Sequence, residues 1–117
     1  MKLMAVVFAL SALASPATPS RVSGTWTFDF QRDSREPFPT TLDPSICRLK
    51  QDGRKLTGDC GSDGANVMGD VNGRRVTVRV EDDNRATLTG EVSVDGATIK
   101  GTWHTRDGYG RFTATKQ

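Results

Sequence analysis

Val67-Met68-Gly69-Asp70-Val71, then Asn72-Gly73, then Val76-Thr77-Val78-Arg79-Val80: apolar and polar residues alternate on both sides of a dipeptide that tolerates positive φ. Alternation with a period of two is the mark of a strand with one buried face, and Asn-Gly between two such runs marks a hairpin. The same grammar extends outward in both directions. Further breaks fall at Asp52-Gly53, Asp63-Gly64, Asp82-Asp83-Asn84, Asp95-Gly96 and Asp107-Gly108. They divide the chain into eight strands near 23–30, 45–51, 55–61, 65–71, 75–81, 86–94, 97–105 and 109–115, and no segment carries helical periodicity.

Side-chain parity then sorts each strand into two faces. One parity collects Trp26, Phe28, Phe30, Cys47, Leu49, Leu56, Cys60, Val67, Val71, Val76, Val78 and Val80, continuing with Leu88, Val92, Val94, Ile99, Trp103, Phe112 and Ala114. The other is rich in Thr, Lys, Arg and Asp. A sheet with one apolar face has to cover it, and with no helix available it closes on itself or folds into a sandwich. The pattern apolar-x-Gly at Gly58, Gly69, Gly90 and Gly101 keeps glycine on the inward parity, which relieves crowding in a tightly coiled barrel. The expected fold is therefore all-β, an eight-stranded antiparallel up-and-down barrel, with Trp26, Phe28, Trp103 and Phe112 in its core. Two-residue turns at Asn72-Gly73, Asp95-Gly96 and Asp107-Gly108 place Gly69 opposite Val76, Val92 opposite Ile99, and Trp103 opposite Phe112.

Ser23-Gly24-Thr25-Trp26 on the first strand, echoed by Gly101-Thr102-Trp103, resembles the Gly-x-Trp signature of the calycin superfamily, the lipocalins and avidins. From Val22 to Lys116 the chain is similar to small lipocalin-like barrels of exported bacterial proteins, which implies a barrel and no particular chemistry. A biotin site needs several inward polar side chains, and the inward set here is hydrocarbon and glycine. A narrower resemblance runs to periplasmic inhibitors of bacterial zinc metalloproteases, which are also exported barrels with one disulfide and Ser-Gly-x-Trp on the first strand. It implies that Ser15 to Arg21 could enter a protease cleft as a trunk. The close spacing of Cys47 and Cys60 and the prolines Pro16 and Pro19 depart from that pattern.

The chain opens with Lys2, the apolar run Leu3 to Leu10, and Ala12-Leu13-Ala14. This is the layout of a secretory signal peptide over 1–14, too short for a bilayer span of roughly 20 apolar residues. Residues 15–22 then form an N-terminal extension and 23–117 the barrel domain, placed in the periplasm or outside the cell. No cysteine follows the cleavage region, which argues against a lipid anchor, and no membrane insertion of the mature chain is expected. Removing Lys2 from the 16 basic residues leaves 15 against 14 acidic ones. That balance, with Arg74, Arg75 and Arg79 as the densest basic group, gives no footprint for nucleic acid. The mature protein is expected to be a monomer.

Catalytic constellations are scarce. His104 is the sole histidine and has outward parity; Asp59 and Asp70 fall on neighbouring strands but on the outer face, where solvent leaves carboxylates unperturbed. No enzyme activity, cofactor or metal site is expected. The feature that departs from a bare barrel is the connection Gln31 to Pro44, longer than roughly 12 residues, with Phe38 between Pro37 and Pro39. It shares one rim with the turns near 61–64, 81–85 and 106–109, so the candidate site is that rim, with Phe38, Tyr109 and His104. The expected function is non-enzymatic binding there of a small apolar ligand or an extracytoplasmic protein, with metalloprotease inhibition through the N-terminal segment as the alternative.

Two cysteines in an exported chain are expected to pair. A two-residue turn at Asp52-Gly53 would leave Cys47 and Cys60 diagonal, about 7 to 8 Å apart at Cα, whereas a bridge usually spans about 5.5 to 6 Å. A four-residue loop, Asp52 to Lys55, pairs Gln51 with Leu56, Leu49 with Gly58 and Cys47 with Cys60, and this register is the expected one.

Overall fold

A computed structural model describes residues 18–33, 40–41, 43–81 and 85–117. The expected signal peptide, 1–14, and Phe38 lie outside the described residues. The strands are β1 (Gly24–Asp33), β2 (Thr40–Thr41), β3 (Ser45–Asp52), β4 (Lys55–Cys60), β5 (Ala65–Asn72), β6 (Arg75–Glu81), β7 (Thr87–Val92), β8 (Thr98–His104) and β9 (Tyr109–Lys116). From β3 to β9 each strand pairs antiparallel with the next, and β1 pairs with β3 on one side and β9 on the other. Eight strands thus close into an up-and-down barrel. The two-residue β2, an addition to the expected set, pairs Thr41 with Gln31 and Thr40 with Arg32 at the far end of β1.

Closure follows from the parity of the strands. Trp26, Phe28, Leu56, Val67, Val71, Val92, Ile99 and Ala114 all point inward and are fully buried or nearly so, and no polar side chain is buried among the described residues. Val94, expected inward, is instead 90% exposed. The ladder ends at Val92, and Gly96 donates its N–H to the Ser93 carbonyl at 2.9 Å, so Val94 sits on a turn where strand parity no longer applies.

The turns at the end of the barrel where β1 begins share a phase that the dipeptides alone do not reveal. Asn72 pairs with Arg75, and Asp52 with Lys55, leaving Gly53-Arg54 and Gly73-Arg74 as the two turn residues. Both glycines have φ of 62°, the left-handed value that the first position of a type II′ turn requires. Gly69 consequently faces Val78, and Val71 faces Val76, two residues from the expected register. At the other end Trp103 pairs with Gly110, not with Phe112. There Thr105 N–H donates to Gly108 O at 2.8 Å, and Asp107 N–H donates to Thr105 Oγ1 at 3.2 Å, so Arg106-Asp107 make the turn. The expected pairing of Val92 with Ile99 holds.

Cys47 faces Cys60 in register and the two are bonded, with Cα atoms 4.0 Å apart. Leu49 faces Gly58 and Gln51 faces Leu56, as the disulfide geometry requires, although the connecting loop is two residues tighter than expected.

Candidate functional site

The inward residues do not fill the barrel evenly. Leu49, Leu56, Val71, Val76, Val92 and Ile99 lie near the turns at 53–54, 73–74 and 94–97 and form the buried packing of that half. Val22, fully buried, closes it below Trp26, whose indole N–H donates to the Val22 carbonyl at 2.9 Å. The opposite half holds a pocket of about 260 Å³.

Three walls enclose that pocket. The first is aromatic: Phe28 and Phe30 on β1 stack with centroids 6.0 Å apart, and Trp103 on β8 meets Phe30 edge-on at 6.3 Å. Trp103 Nε1 is spent on the barrel wall, donating to the Gln31 carbonyl at 3.1 Å and the Arg111 carbonyl at 3.2 Å, so only its hydrocarbon faces the space. The second wall is aliphatic, from Val78 and Val80 on β6 to Ala86 and Leu88 across the β6–β7 connection. The third is the Cys47–Cys60 bridge.

Among the described lining residues the polar ones are Ser45, the first residue of β3, Asp63 on the β4–β5 connection beside Gly61, and Thr105 on the β8–β9 connection. The Thr105 hydroxyl is engaged within its own turn, accepting from Asp107 N–H and donating to Gly108 O at 3.4 Å. Asp63 is exposed, and no cation pairs with it among the described residues.

The pocket opens at the end that carries the long connection between β1 and β3. Of the residues singled out for that rim, Tyr109 and His104 are partners in register on the outer surface, Tyr109 being 59% exposed, and neither lines the pocket. Apart from Ala86, the wall residues were legible as inward-facing; that they border a space was not. Ser45 shares the inward parity of Cys47 and Leu49 at the start of β3, whereas Asp63 carries no sequence signal, because a turn residue's direction depends on the closed barrel. Elsewhere on the outside, Asp59 and Asp70 pair with Arg48 at 3.0 Å and Arg54 at 3.3 Å. Among the described residues no group of three or more His, Cys, Asp or Glu is placed to hold a metal ion.

Ser20 to Ser23 lie along the closed end. Ser20 N–H donates to Gly73 O at 2.7 Å, and Val22 N–H donates to Gln51 Oε1 at 2.8 Å. No protein-family model matches this chain, and no curated protein matches its sequence.

Proposed function

We propose that this protein is an exported, non-enzymatic binding barrel of calycin type that takes a small apolar group into the pocket between Phe28, Trp103, Leu88 and the Cys47–Cys60 bridge. The observation that carries this reading is the uneven filling of the barrel. Core residues pack to crystal-like density, and a space left open to solvent forfeits contacts that a ligand restores. A concave, mostly apolar site with a few polar groups at its mouth is the usual form of a small-molecule site. The calycin reading is supported by the place of Gly24-Thr25-Trp26, which begins β1 and buries Trp26 at the closed end. Export is supported by the signal-like opening of the chain and by the formed disulfide, which persists in oxidising compartments.

Protease inhibition through the N-terminal segment has less behind it. Ser20 and Val22 are bonded to the barrel, which ties the Ser20–Arg21 part of the expected trunk to the closed end.

Titration of the mature protein with an apolar fluorescent probe tests the proposal. Saturable binding with a change in tryptophan emission is expected, and Trp103→Phe keeps the binding while losing most of the emission change, because Trp103 borders the pocket and Trp26 does not. Absence of saturable binding by any apolar probe overturns the reading.

A further inference from the structure

The chemistry of the mouth selects among apolar ligands, and the selection rests on the pocket reading given above. A volume of about 260 Å³ equals the share of about nine water molecules, so the occupant is a slender group of roughly that many heavy atoms. Its polar end stays at the mouth, since the walls offer it no partner. There Thr105 Oγ1 is already committed to its turn, which among the described residues leaves the Ser45 hydroxyl and the Asp63 carboxylate. Asp63 Oδ1 leans over Gly61, lying 2.9 Å from where a Cβ would stand on that residue; any side chain at 61 would displace it. Both Gly61 and Asp63 border the pocket.

We propose that the ligand is a small amphiphilic cation, an apolar tail bearing an ammonium head, with the head held by Asp63 at the mouth. An ionised carboxylate only accepts hydrogen bonds, and an ammonium only donates them. A carboxylate-headed ligand of the same length would place like charges together beside a low-dielectric wall. An alcohol head lies between, able to donate to Asp63 without charge attraction.

The test uses n-octylammonium, 1-octanol and octanoate, each displacing the apolar probe from the mature protein. Octylammonium is expected to bind about tenfold more tightly than octanoate at low ionic strength, with the gap narrowing as salt rises. Asp63→Asn is expected to bring the two within about twofold of each other. Equal affinity for octylammonium and octanoate in the unaltered protein overturns the inference while octanol binding keeps the pocket reading standing. A cation preference that survives Asp63→Asn removes Asp63 as its cause and likewise overturns it. If none of the three binds, the pocket reading itself fails and the inference with it.

Discussion

Gln51 holds the backbone of Val22, twenty-nine residues earlier, by accepting its N–H at 2.8 Å, and the same side chain donates to the Ser20 and Gly53 carbonyls at 2.8 Å each. Val22 then fills the closed end and accepts from Trp26. A single amide thus ties the N-terminal segment, the first strand and the β3–β4 turn together. Gln51→Ala removes three bonds, two of them to partly buried backbone groups and one exposed, and is expected to cost about 1 to 3 kcal/mol. Val22→Ala, which hollows the plug, is expected to cost about 2 kcal/mol. Chemical denaturation measures both, with an unchanged denaturant slope as the sign that the native fold is kept.

The disulfide closes a loop with a sequence separation of 13. The chain-entropy model gives such a loop about 3 kcal/mol, a large share of a small domain's stability. A Cys47→Ser, Cys60→Ser double variant, or the native protein in reductant, is expected to melt at a clearly lower temperature. A melting temperature indifferent to reductant would contradict the role given to the bridge.

Gly69 and Gly53 should fail for different reasons. A Cβ on Gly69 would run into the Thr77 carbonyl oxygen of the neighbouring strand, whereas one on Gly53 meets nothing and only has to tolerate φ of 62°. Gly53→Ala is expected to cost about 1 kcal/mol. Gly69→Ala forces the strands apart and is expected to cost about 2 to 3 kcal/mol. Equal losses for the two, read from unfolding curves, would mean that close strand approach at Gly69 is not what limits the site.

Ala86 lies partly buried on the aliphatic side of the pocket, near the mouth. Ala86→Phe puts a ring into the open space without disturbing the packed half. Apolar-probe affinity is expected to fall at least about tenfold, one decade corresponding to about 1.4 kcal/mol, while the melting temperature stays within a few degrees. Undiminished binding would locate the probe elsewhere.

The turn between β7 and β8 carries a pH-dependent contact. The Ser93 hydroxyl, and after it the Ala97 N–H, bond to the Asp95 carboxylate and hold its pKa below the ordinary carboxylate value. Because the folded value is the lower one, the stabilisation is present above the unfolded pKa and is lost as pH falls through the folded value. An NMR titration of the Asp95 carboxyl carbon is expected to show a depressed midpoint, and Ser93→Ala to raise it toward the ordinary range.

Much of this architecture could be read along the chain because strand parity and turn chemistry are local. Alternation at Val76 to Val80 fixed which residues face inward, and the short reach of a disulfide selected the register of Cys47 with Cys60. Closure followed, since one apolar face with no helix to cover it has few ways to leave water. Local information stops at quantities that depend on several strands at once. Whether Gly73 takes the first or second turn position depends on its neighbours' pairing, and Val22 entered the core through a contact with Gln51 that no periodicity announces. The pocket is the clearest case. Phe28 and Leu49 have the same parity on paired strands and both are buried, yet one borders the open space and the other does not. That distinction is the difference between the volume a closed barrel encloses and the volume its inward side chains occupy at each height, and only the tertiary structure sets the first of these.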